Sequence, residues 1–296
     1  MKSGEVGFRR DRKYFYIFIG PWLIGFVLLT AGPMLYSLFL SFVDWDMITK
    51  MKIVGFKNYI DIFTNDRIFY KSLINTFIWA AYLPIGLVLS LLVASLLNKK
   101  IKGVTAFRTI FYIPVIVPMV ANSLLWLWLF NPEVGLLNAL LRIFHLPTSD
   151  WLLSETMVIP SLVIMSLWQL GGGVVIFLAA LQGVPAELYE AGEIDGASSF
   201  RKFISITLPM ISPAIFFQLI TGIIGAMQVF TQGYIMTGGG PHDRTLFYML
   251  YIYRTAYENY EIGYASALSW ILFVIILVLS IVMFATVGKK VYYVEE

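Results

Sequence analysis

Six stretches of the chain run for more than 20 residues without a single Lys, Arg, Asp or Glu: residues 15–42, 72–97, 109–130, 157–181, 214–236 and 263–287. Roughly 20 apolar residues carry a helix across about 30 Å of hydrocarbon, so the pattern predicts six transmembrane helices. The runs are continuous rather than alternating, which excludes a β-barrel. The polar connections are patterned too. Residues 43–71 alternate aromatic and charged positions and predict an ordered segment with short helices. Leu137, Leu140, Leu141 and Phe144 recur at helical spacing, predicting an amphipathic helix on the membrane surface. The glycines and proline of residues 238–241 predict a turn, followed by an aromatic-rich segment too charged to span.

The connection between the fourth and fifth runs is of another kind. "YEAGEIDGASSFRKFISITLPMISP", residues 189–213, is charged and helix-shaped. Pro185 and Glu187 suit a helix start, and Gly196 can take the left-handed turn that stops it. Leu188, Ala191, Gly192 and Asp195 share one face whose middle is small, with Glu190 and Asp195 as acceptors at its edges. A second helix, capped by Ser198 or Ser199, runs toward Pro209. The expectation is a helix, turn, helix elbow presenting a small-residue knob to a soluble partner.

Composition sharpens this reading. Of 296 residues, 59% are hydrophobic and 13% charged, more apolar surface than one soluble core can bury. Placing both termini in the cytosol assigns 13 Lys and Arg to inside segments and 8 to outside segments, which puts the elbow in the cytosol. The first run is too long for a cleavable signal and should be retained. There is no cysteine, so disulfides and thiolate chemistry are excluded, and the net charge of +3 follows from the inside flanks rather than from a nucleic-acid partner.

The elbow carries a resemblance. Glu190, Ala191, Asp195, Gly196, Ala197, Ile206, Leu208, Pro209 and Pro213 resemble the "EAA" loop of permease subunits in binding-protein-dependent ABC importers. "NTFIWAA", "FRTIFYIPVIVP", "LWLFNPEVGLLNALL", "FLAALQGVPAELYEAGEIDGA" and "QVFTQGYIMTGGGP" extend it over nearly the whole chain, toward the maltose and glycerol-phosphate type and the first subunit of the usual pair. Gly192 departs from the family, which usually has a second Ala; in a helix this costs about 1 kcal/mol.

The resemblance implies an all-α membrane protein with the type I ABC importer permease fold and a coupling-helix loop at 185–213. It implies residues 1–70 as an arm, first span and outer segment, 71–287 as a five-helix core, and 288–296 as a tail. It further implies a second homologous permease, two ATP-binding subunits and an extracytoplasmic sugar-binding protein as partners. ATP and Mg would be held by the ATPase and no cofactor by this chain, which would be non-catalytic. Glu190, Ala191, Gly192, Asp195, Gly196 and Ala197 would contact the ATPase, and Leu208 and Pro209 would set the elbow's angle.

For the path itself, Gln218, Thr221, Gly225, Gln228 and Gln232 recur along one face of the fifth run, a stripe that fits either helix packing or sugar hydroxyls. The resemblance adds Gly222. On the fourth run, Ser166, Gln169 and Gly173 have similar spacing, and residues 171–173 suit a kink. Asn122 is expected to hydrogen-bond between helices. There is no P-loop, no metal-ligand spacing and no acid at membrane depth. A gradient-driven secondary transporter or channel is the rival reading.

Overall fold

The computed structural model describes residues 3–99 and 102–292, with side chains from residue 14 onward. The chain forms two compact units, Met1–Asn65 with Ile252–Ile271, and Asp66–Tyr251 with Leu272–Glu296.

In the first unit, α1 (Ser3–Phe26) passes through a π-helical turn, Val27–Ala31, into α2 (Gly32–Leu40). The turn has a local cause. Pro33 has no N–H and its ring crowds the carbonyl four residues back, so the helix widens and the Gly32 N–H reaches Val27 instead. Phe18 and Leu29 are each 80% exposed, apolar surface suited to lipid rather than to water. Two short strands, β1 (Val43–Asp44) and β2 (Lys52–Ile53), pair antiparallel, and α3 (Lys57–Thr64) follows. Asn58, buried on α3, donates to the carbonyls of Ser41 (2.9 Å) and Val43 (3.0 Å), and the Tyr59 hydroxyl donates to Ser41 Oγ at 2.7 Å. The segment after the first run is thus ordered, with short strands that the aromatic and charged alternation did not signal.

The second unit opens at Asp66, whose side chain accepts the Phe69 N–H and caps α4 (Arg67–Ala80). With α5 (Leu83–Leu97) it makes a 31-residue helical run, long and apolar enough to cross a membrane. The third predicted span is not one helix. It is α6 (Val104–Ile116) and α7 (Met119–Leu129), bent by 100°. Pro118 is the cause: Val117 before it is driven into the extended region at φ −69°, ψ 123°. The surface helix α8 (Leu136–Ile143) falls where the apolar spacing placed it. The fourth span is α9 (Val158–Trp168) and α10 (Gly171–Gln182), bent by 48° just before the three glycines.

Next come α11 (Ala186–Ile194), α12 (Ser199–Lys202), a π turn at Phe203–Thr207, α13 (Leu208–Met210) and α14 (Ser212–Met227), with a 64° bend at Ile211. The π turn repeats the proline effect: Leu208 N–H bonds to Phe203, five residues back, directly before Pro209. The fifth span is also interrupted. Its helix stops at Met227 and resumes at residues 231–237, so the stripe from Gln218 to Gln232 does not lie on one helix. Last come α15 (Tyr248–Tyr253) and α16 (Ile262–Thr286).

Among the described residues, three helical runs are long and apolar enough to cross a membrane, and each of the three bent pairs supplies one more when counted as a single span. Among the described residues, two apolar clusters hold the second unit. One gathers Trp79, Trp126, Phe130, Trp151, Met165 and Phe247; the other, Ala94, Leu97, Phe177, Leu181 and Ile211, sits at the end that carries α11.

Candidate functional site: the elbow and the polar niche

The elbow is built from backbone capping. Helix α11 starts after Pro185, which sits in the cap position, one place earlier than expected, and ends at Asp195. Gly196 takes φ +71°. Its N–H bonds to the Glu193 carbonyl at 3.0 Å, and Ala197 N–H bonds to Gly192 at 2.9 Å, the paired closure of a Schellman turn. Ser198 then accepts the Arg201 N–H at 3.3 Å and opens α12.

Three contacts fold α11 onto the segment after it. Lys202 Nζ donates to Glu193 Oε1 at 2.6 Å, the hydroxyls of Tyr189 and Thr207 lie 2.9 Å apart, and Gly192 is buried beneath Lys202 and Ile206. A Cβ on Gly192 would stand 3.2 Å from Ile206 Cδ1. The hydrogen bond and charge of Lys202 hold the Glu193 carboxyl below its ordinary value.

This geometry divides the predicted coupling residues. Glu190, Ala191, Asp195 and Gly196 are exposed, whereas Gly192 faces inward and Ala197, Leu208 and Pro209 are half-buried. The small middle of the α11 face is therefore shared between the outside and the elbow's own second arm. Around the exposed residues lie two apolar side chains that the sequence reading had not assigned to this surface, Ile194 (88% exposed) and Phe200 (73%).

A second arrangement lies between the helices. Gln169, Gln218, Thr221 and Gly222 line one niche of about 260 Å³, together with Tyr82, Ser90, Ser166 and Gly173. Glycine makes the space: a Cβ at Gly173 would stand 2.8 Å from Gln218 Nε2 and 2.9 Å from Ser90 Oγ. Gly225, Gln228 and Gln232 are not part of it. Gln169 Nε2 also lies 3.4 Å from the Pro114 carbonyl, whose usual partner four residues on is Pro118, which has no N–H. Asn122, expected to bond between helices, is buried with its side-chain nitrogen unpaired. Ser90 was missed as a lining group. Its signal was the spacing of Gly86, Ser90 and Ala94, small residues four apart that are buried on α5.

Residues 86–288 match the family described as binding-protein-dependent transport system inner membrane component. The probable ABC transporter permease protein YesP of Bacillus subtilis is 38% identical over 96% of this chain and 94% of its own. The diacetylchitobiose uptake system permease protein NgcF of Streptomyces coelicolor is 34% identical over 93% of this chain and 82% of its own. Among solved structures, the chain superimposes with a TM-score of 0.82 and 22% identity on a bacterial alginate ABC transporter, crystallised with an alginate pentasaccharide-bound periplasmic protein. The match covers 96% of this chain and 98% of that one. The fold is the type I ABC importer permease fold.

Proposed function

The chain belongs to the family of binding-protein-dependent transport system inner membrane components, and from that membership we propose that it carries a carbohydrate across the membrane within an ATP-driven importer. Two similar proteins are named for sugars: one takes up diacetylchitobiose, the other was crystallised with an alginate pentasaccharide on its periplasmic protein. The niche supports the same reading, since the amides of Gln169 and Gln218 and the hydroxyls of Tyr82, Ser90, Ser166 and Thr221 offer donors and acceptors for sugar hydroxyls.

The observation that carries the proposal is the elbow. A helix of nine residues closed at its C-terminal end by a Schellman turn, clamped to the segment that continues into α14 and carrying exposed acids, suits seating in a groove of a separate ATPase. Glu190, Ala191, Asp195 and Gly196 make the contact; Ile194 and Phe200 fill apolar ground beside it. Gly192 acts from within by letting the two arms close, and Ala197, Leu208 and Pro209 set the angle between them. Closure of the ATPase on ATP then swings the elbow and turns the path outward, and hydrolysis resets it.

The chain itself catalyses nothing and binds neither ATP nor Mg. It works with a second permease, two ATP-binding subunits and an extracytoplasmic sugar-binding protein, and keeps both termini in the cytosol. The division into an arm (1–70), a core (71–287) and a tail (288–296) follows the same plan. The test is capture of the ATP-binding subunit from detergent by the native chain, compared with Glu190→Lys and Gly196→Pro. Native capture and its loss in membrane-inserted variants supports the joint; sugar uptake by this chain alone down a gradient overturns it.

A further inference from the structure

A cleft of about 410 Å³ opens between α6 and α10, lined by Phe111, Tyr112, Gly171, Val174, Val175 and Leu178, with Leu97 and Arg108 at one end. Arg108 stands one turn into α6. Its Nη2 donates to the Leu97 carbonyl at 2.9 Å, capping the end of α5, while its Nε is buried without an acceptor. A guanidinium binds oxyanions through paired N–H groups, so an arginine in the lining of an apolar cleft suits an anion with an apolar body. The flank agrees. Residues 98–109, "NKKIKGVTAFRT", hold Lys99, Lys100, Lys102 and Arg108 and no acid. The cleft end also lies at the level of the elbow, because Leu97, Val104, Leu181 and Ile211 share one cluster.

We propose that this cleft binds one anionic phospholipid, its headgroup phosphate on Arg108 and an acyl chain along Val174, Val175 and Leu178. Close helix approach shapes the floor: a Cβ on Gly171 would collide with the Phe111 carbonyl, so α10 lies against α6 there and leaves the cleft beside it. Basic pockets between membrane helices at the cytosolic side select anionic headgroups over zwitterionic ones. The carbohydrate reading is not needed; only the choice of leaflet rests on the elbow being cytosolic.

The test uses the full chain with the subunits that co-purify with it, in nanodiscs of phosphatidylglycerol or phosphatidylcholine, read by native mass spectrometry after lipid exchange. The native chain should retain phosphatidylglycerol over phosphatidylcholine by roughly fivefold, the ratio that about 1 kcal/mol per basic residue implies. Arg108→Gln should remove that preference. Val175→Trp, at an exposed position, should fill the cleft and lower retention of both lipids while leaving the Leu97 cap intact. Equal retention by the native chain and both variants would overturn the proposal. So would a photo-crosslinker at position 175 that, in the assembled transporter, labels a protein subunit instead of lipid.

Discussion

At Gly192 two opposed effects meet. Alanine gains helix propensity of about 1 kcal/mol, but its methyl would sit 3.2 Å from Ile206 Cδ1 and 3.4 Å from the Lys202 stem. Gly192→Ala should therefore leave ATPase capture within about twofold of native, whereas Gly192→Leu should pry the arms apart and abolish it; a pull-down series reads both. The Glu193–Lys202 pair makes a pH prediction. Because the Glu193 carboxyl is held below about 4.5, its contribution is complete above that pH and is lost as pH falls through the lowered folded value. Hydrogen exchange of the α11 amides should be unchanged between pH 8 and 6 after correction for intrinsic rate, and faster below pH 4. Glu193→Gln should remove that acid dependence. In the niche, Gly173→Val should displace the Gln218 amide and Ser90, cutting uptake by tenfold or more while ATPase capture persists, since none of the elbow's exposed residues lines the niche.

Among the elements, prolines act in two ways, and the difference explains what could be read from the chain. Pro33 and Pro209 widen their helices into single π turns, while Pro118 coincides with a 100° break. Hydropathy measures apolar length, so the spans were legible; it is blind to the backbone, so the breaks at Val117 and Gln228 were not. A proline at each site looks alike in sequence, and the packing around it decides between a bulge and a corner. The elbow was legible for the opposite reason: Pro185, Gly196 and Ser198 act through local backbone geometry that needs no neighbours. Which way Gly192 faced was not legible, because periodicity gives a face without saying which surface meets it. Replacing Pro209 by Ala should let the π turn relax to α-helix and rotate α11 relative to α14. The expected outcome is ATP hydrolysis that no longer depends on substrate, measured in proteoliposomes with the full set of subunits.

For the whole molecule, the exposed apolar helices and the exposed acids of α11 make two different surfaces, one for lipid and one for a polar groove. Glu187, Glu190 and Asp195 are all exposed and no base lies on that helix, so the receiving groove should be basic at its rim. Capture of the ATPase should weaken as salt rises from 50 to 500 mM, with the apolar share from Ile194 and Phe200 remaining. Salt-independent capture would point instead to an apolar socket centred on those two side chains.

The corner at Val117 also bears on how the protein is made. Helix α6 has 13 residues and α7 has 11, about 20 Å and 17 Å of rise, so neither arm alone crosses the hydrocarbon. A ribosome delivering this segment to the membrane presents an unbroken apolar stretch that enters as an ordinary span. The corner gains its contacts with Gln169 and Gly171 only after α9 and α10 have been synthesised. Biogenesis of this chain is therefore expected to pass through a stage in which its third span is inserted but still lacks its contacts with the fourth.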